Sequence, residues 1–106
     1  MTGKVLQQTF HAWINKMPGA DDKLIVVGIV LFPTAGWQVV LEEAVPQGIN
    51  PSILILDERQ IPPEGFAATV LTHEIARFEK PNGGIYRQVT IKTATSQFTI
   101  DVEVVR

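Results

Sequence analysis

Residues 97–104 read QFTIDVEV, and polar and apolar side chains alternate at every position of this stretch. The apolar residues from Phe98 to Val104 share one parity, which is typical of a β-strand with one buried and one solvated face. Val89 and Ile91 alternate with polar residues in the same way. Residues 93–96 would join these two strands as a hairpin.

Short apolar runs recur along the whole 106-residue chain, separated by prolines and glycines at regular intervals. This spacing is typical of β-sandwiches and barrels. Further strands are expected at 6–14, 24–32, 37–42 and 53–56. The sequence therefore predicts one all-β domain over residues 1–106, an immunoglobulin-like antiparallel β-sandwich of about seven strands.

The segment 64–80 fits two structures. Its apolar residues, including Phe66, Ile75 and Phe78, match a helical stripe. Its centre, however, is rich in the β-branched residues that favour strands. A strand is the preferred interpretation, and an α+β fold with one helix near 64–80 is the alternative.

The run from Leu24 to Phe32 carries no polar side chain on either parity. A strand of a two-layer sandwich buries only one face, so this strand needs a second cover. The cover could be the 64–80 segment, a second copy of the protein or an apolar partner. Gly28 within the run indicates a bulge or a close backbone approach.

Two large side chains of the first strand are expected on an outer face of the sheet. Leu6, Phe10 and Ile14 share one parity, and His11 and Trp13 fall on the other. An exposed tryptophan suggests an interface. Trp13 could equally well cover the long apolar strand.

The usual ingredients of catalytic and metal sites are missing. The chain has no cysteine, which excludes thiolate catalysis and cysteine-based zinc sites. His73-Glu74 begins like a zincin motif, but its fifth position is Arg77. The acidic pair Asp57-Glu58 lies at a predicted strand end and is expected to be solvated. We therefore expect no catalytic residues, no metal and no cofactor.

Charge and hydropathy argue against two classes of partner. Nine basic and eleven acidic residues give a formal net charge of −2, and no two basic residues are adjacent. Nucleic acids and anionic membranes are recognised by clustered Lys and Arg, so neither is expected to bind. The longest apolar run, 24–32, is too short for a spanning helix. Without an apolar signal segment, a cytoplasmic protein is expected, and a mature secreted domain is the alternative.

A turn after the long apolar strand reads Pro33-Thr34-Ala35-Gly36-Trp37. It resembles one loop motif of the chagasin-type cysteine-protease inhibitors, which are all-β, immunoglobulin-like domains of similar length. Gly83-Gly84 matches at most a fragment of that family's glycine-rich loop, and the family's Arg-Pro-Trp loop has no counterpart. The resemblance would imply that residues 34–37 enter a protease cleft.

The sequence thus favours a non-catalytic protein-interaction or structural module over an enzyme. We expect it to bind protein, either itself as a homodimer or another partner, through the outer apolar sheet face. The candidate interaction residues are Trp13, His11, Val27, Thr34, Gly36 and Trp37. Two alternatives stay open: a protease inhibitor acting through the 33–37 turn, and a small carbohydrate-binding module.

Overall fold

A computed structural model describes residues 3–16, 18–19 and 21–105. Within these ranges the protein has seven strands and no helix, so the predicted all-β class and strand number are confirmed. The strands are β1 (Lys4–Asn15), β2 (Lys23–Phe32), β3 (Gln38–Glu43), β4 (Ile53–Ile61), β5 (Thr72–Lys80), β6 (Gln88–Lys92) and β7 (Gln97–Val105).

The seven strands form one mixed sheet in the order β3-β4-β6-β7-β1-β2-β5. Neighbouring strands are antiparallel except for the pairs β1–β7 and β4–β6, which are parallel. The sheet curls until its edge strands β3 and β5 approach each other. There Lys80 Nζ lies 3.0 Å from Glu43 Oε2. The sheet is therefore nearly barrel-shaped, and the predicted immunoglobulin-like antiparallel sandwich is not confirmed.

The ambiguous segment resolves into an irregular stretch followed by a strand. Residues 62–71 are irregular, and β5 pairs with β2 along its full length, from Phe32 opposite Thr72 to Leu24 opposite Lys80. The helix alternative is wrong because this pairing uses the backbone groups that a helix would bond internally. The long apolar strand therefore has β5 beside it in the sheet, and no helix of the described residues lies over it.

The core lies inside the curled sheet. Its fully buried large side chains are Phe32, Ile14, Leu24, Leu54, Leu56, Ile91, Val26, Val30 and Val89. Burial of each such side chain contributes roughly 1.5–3 kcal/mol. The predicted alternation of β7 is confirmed from Phe98 to Val102, where every second residue packs against this core, and is wrong for Val104, which is 51% exposed. Phe98 also meets Phe10 edge to face, with ring centroids 5.4 Å apart.

A bulge in β1 changes which side chains face the core. Leu6 pairs with Ile29 and His11 pairs with Val27, so several β1 residues oppose Gly28 alone. Leu6 consequently lies on the outer face with its partner, and the prediction that it shares the buried parity of Phe10 is wrong. Val5, the residue before Leu6, packs against the core in its place.

Candidate functional site

The outer apolar face is formed by side chains of β1, β2 and β5 that point away from the core. It consists of Leu6, Trp13, Ile25, Val27, Ile29, Leu31 and Ile75. The strand register aligns these residues in rows, because directly paired residues share a face of the sheet. One row joins Leu6, Ile29 and Ile75, and the next joins His11, Val27 and Arg77.

The described residues cover only one end of this face. Ile25 is 7% exposed and lies in the register between Trp13 and Glu79, the side chains placed to shield it. Val27 and Ile29 are half-buried, and Ile75 is 69% exposed. Around them lies a shallow depression of about 300 Å³ with Gly28 in its floor. Trp13 thus lies beside the buried Ile25 at the start of β2, and the described residues leave the rest of the outer apolar face open.

Charges of both signs flank the outer apolar face. Arg77 Nε donates to Glu79 Oε2 at 2.7 Å, and Lys23 Nζ donates to Glu79 Oε1 at 3.1 Å. The hydrogen bond from Arg77, and then that from Lys23, hold the pKa of the Glu79 carboxyl below its ordinary value. These groups are exposed and screened by solvent, so they contribute little to folding.

The structure brings three of the candidate interaction residues together. His11 is exposed and directly opposite Val27, and Trp13 is half-buried in the adjoining row. Thr34, Gly36 and Trp37 lie elsewhere, in the turn that follows β2 at the end away from Trp13. The candidates therefore form two separate groups.

The turn residues are engaged in contacts within the fold. Trp37 stacks on Phe32 with ring centroids 4.9 Å apart, and its Nε1 donates to Thr34 Oγ1 at 2.9 Å. Gly36 has φ +92°, and a Cβ at this position would lie 2.7 Å from Pro63 Cβ. Both features require glycine. The observed packing therefore gives the Trp37 ring and Gly36 a structural role in the turn.

Sequence reasoning missed Glu58, which the structure places in a polar site at the mouth of the curled sheet. The prediction that this residue is solvated is wrong, because β4 continues to Ile61 and the inward alternation of Leu54 and Leu56 carries on to Glu58. Glu58 is 8% exposed. Extending the period-2 pattern beyond Leu56 would have revealed it.

Gln60 fixes the position of the Glu58 carboxylate. Gln60 Nε2 donates to Glu58 Oε2 at 2.8 Å, and Gln60 Oε1 accepts a 2.7 Å bond from the Gly3 amide. The two residues border a cleft of about 420 Å³, the Glu58 cleft, which is lined by residues 3–5, 58–60 and 93–96. Burial raises the pKa of the Glu58 carboxyl, and the Gln60 hydrogen bond opposes this shift in part.

The raised pKa of Glu58 determines the direction in which folding stability changes with pH. The folded protein holds a proton on Glu58 more readily than the unfolded chain, so this carboxyl favours folding below its ordinary pKa. The contribution is lost as pH rises through the folded pKa. We expect the Tm of Glu58→Gln minus that of wild type to be larger at pH 7 than at pH 4. Circular dichroism measures both Tm values.

The control for this experiment is Glu64→Gln, which removes one carboxylate from an exposed position. Its Tm relative to wild type should be the same at both pH values. A Glu58→Gln variant whose Tm difference from wild type is unchanged or smaller at pH 7 would contradict the assignment.

Comparison with known proteins finds no relative of this chain. No protein-family model matches it, and no curated sequence or solved structure is significantly similar to it. Within the described residues, no three His, Asp or Glu side chains are grouped as a metal ion would require. No helix in these same ranges has the length and apolarity to cross a bilayer. Function must therefore be inferred from the outer apolar face and the Glu58 cleft.

Proposed function

We propose that this protein is a non-catalytic interaction module that forms a homodimer through the outer apolar face. The observation that carries the proposal is the open end of that face, where half-buried Val27 and Ile29 adjoin the 69% exposed Ile75. Large apolar side chains grouped on one sheet face are typical of protein interfaces. Burying a side chain such as Ile75 against a partner contributes roughly 1.5–3 kcal/mol.

The charges beside the outer apolar face favour a second copy as the partner. A two-fold interface sets the same patch against itself, so the patch must be compatible with its own charges. Arg77, Lys23 and Lys4, which pairs with Leu31, are accompanied here by Glu79 and by Glu103, which pairs with Trp13, so the rim carries charges of both signs. A rim of a single sign would repel its copy and would call for an oppositely charged partner.

An aspartate at position 27 tests the proposal. Val27 is half-buried in the monomer, so Val27→Asp should leave the fold intact while placing a carboxylate in the interface, beside Arg77 in the register. We expect the dimer dissociation constant to rise about 100-fold or more, since each copy contributes one such charge. Light scattering on a sizing column over a concentration series measures the mass, and circular dichroism monitors the fold.

Gln97→Asp is the matched control, because Gln97 is an exposed outward position of β7 away from this face. The control should dimerise like wild type. A wild-type protein that stays monomeric at high micromolar concentration would overturn the proposal. So would a Val27→Asp variant that dimerises as tightly as Gln97→Asp.

A further inference from the structure

Glu58 is a buried carboxylate without a cationic partner among the described residues. It is 8% exposed, and none of the Lys or Arg nitrogens in those residues lies within 4.0 Å of its oxygens. The nearby Arg59 is engaged elsewhere, because its Nε donates to Glu42 at 2.9 Å. A buried carboxylate that lacks a counter-charge is costly unless something pairs with it.

One oxygen of Glu58 is open to the cleft. Gln60 occupies Oε2, and Oε1 has no donor in the described part of the chain. Among these residues, every side-chain oxygen or nitrogen that is buried from solvent has a hydrogen-bond partner. Because Oε1 has no partner, it is accessible to solvent. Because Glu58 borders the Glu58 cleft, a molecule entering the cleft could donate hydrogen bonds to this oxygen.

The other polar groups of the cleft leave Glu58 as its strongest open acceptor. The Thr93 hydroxyl already serves the β6–β7 hairpin, where it accepts a 3.1 Å bond from the Ser96 amide. Val5 and Ala94 add apolar lining. The volume of about 420 Å³ lies within the range of small-ligand sites. The cleft thus offers one anionic acceptor and an apolar wall.

We propose that the Glu58 cleft binds an organic cation with N–H donors, a guanidinium or alkylammonium group on a short apolar stem. A guanidinium suits this carboxylate because its N–H groups donate to the open Oε1 in a charge-assisted hydrogen bond, while Oε2 keeps its bond from Gln60. Lys4 lines the cleft and Arg59 is paired with Glu42, and neither forms an ion pair with Glu58. This site shares no residue with the outer apolar face, and the two adjoin where Lys4 pairs with Leu31.

The test is a titration of the ¹⁵N-labelled protein followed by amide chemical shifts. The probes are the Nα-acetylated forms of L-argininamide and of L-citrullinamide, so that the citrulline probe is uncharged and differs from the arginine probe only at the guanidinium. Argininamide should give saturable shifts confined to residues 3–5, 58–60 and 93–96, with a dissociation constant on the order of millimolar. Citrullinamide should bind at least about tenfold more weakly, since it keeps the shape and loses the charge.

Variants locate the interaction. Glu58→Gln should weaken argininamide binding at least about tenfold, and the exposed control Glu64→Gln should bind like wild type. Equal binding of the two probes to wild type, or no saturable shifts at these residues, would overturn the proposal without relying on any variant. Equal binding to Glu58→Gln and wild type would overturn it as well.

The same titration separates two sources of the cation. The capped tripeptide acetyl-Gly-Arg-Gly-amide presents the guanidinium on a peptide, and argininamide presents it as a free small molecule. Tighter binding of the tripeptide would assign the cleft to arginine side chains of peptides. Tighter binding of argininamide would assign it to free small cations. Either result supports the cation site, provided that Glu58→Gln abolishes the preference for charge.

Discussion

Replacing Gly28 by alanine should lower the free energy of unfolding by about 3 kcal/mol. A Cβ at this position would overlap Cγ and Cδ1 of Phe10. The Phe10 ring is 3% exposed, and its position is fixed by the edge-to-face contact with Phe98. Ala76, the partner of Gly28 in β5, is fully buried. The ring therefore has little room to move, and the strand must shift instead. Urea denaturation measures the loss.

Gly48→Ala is the control for this prediction. A Cβ at Gly48 would meet only Ile55 Cδ1, at 3.2 Å. That atom is the end of a flexible side chain, so the change should stay within about 0.5 kcal/mol. Replacing the Phe10 ring by a smaller side chain tests the cause. Phe10→Leu should lower the free energy of unfolding by at least about 1 kcal/mol less in the Gly28→Ala variant than in wild type. Additive effects of the two changes would show that the contact is not responsible.

The strands that the sequence predicts best are those whose pattern is local. Residues of β7 alternate because one face packs on the core. β2 is apolar from Leu24 to Phe32 because one face is in the core and the other is the outer apolar face. A period of two requires only neighbouring residues to be recognised. The class and the number of strands follow from such patterns.

The arrangement of the strands could not be predicted in this way. The parallel pairing of β1 with β7 joins Ala12 to Val102, residues at opposite ends of the chain. Neither strand carries a local signal for its partner or for its direction. The predicted antiparallel sandwich rests on the frequency of that architecture among chains with short strands, and the pairing of this chain differs from it.

The candidate site shows the same division between local and long-range information. The outward position of Trp13 and His11 follows from their parity within one regular part of β1. The Glu58 cleft is formed by β1, β4 and the 93–96 hairpin, and only the fold brings these together. Leu6 is misplaced by parity because the bulge inserts residues between it and His11. The alternation of residues along a strand thus predicts the face of each side chain only where the pairing with the neighbouring strand has no bulge.

Replacing Thr9 by valine should destabilise the protein by about 2 kcal/mol. Thr9 Oγ1 accepts a 2.9 Å hydrogen bond from the Ile29 amide and donates a 2.6 Å bond to the Leu6 carbonyl. The hydroxyl therefore replaces the backbone partner that the bulge removes from the middle of β2. Valine keeps the branched shape and leaves the Ile29 N–H without an acceptor in a partly buried place. Urea denaturation and hydrogen exchange at the Ile29 amide measure the effect.

Thr72→Val is the matched control, because Thr72 Oγ1 only donates to the Val70 carbonyl, at an exposed site, and accepts no backbone N–H. Its cost should stay below about 0.5 kcal/mol. Thr9→Ser keeps the hydroxyl and should recover most of the stability and the slow exchange at Ile29. If Thr9→Val matched Thr72→Val, or if the Ile29 amide exchanged as slowly as in wild type, the bulge would be held by packing alone. A large loss of stability in Thr9→Val alone would instead show that this one hydroxyl fixes the strand register. That register places Val5 against the core and Leu6 on the outer face.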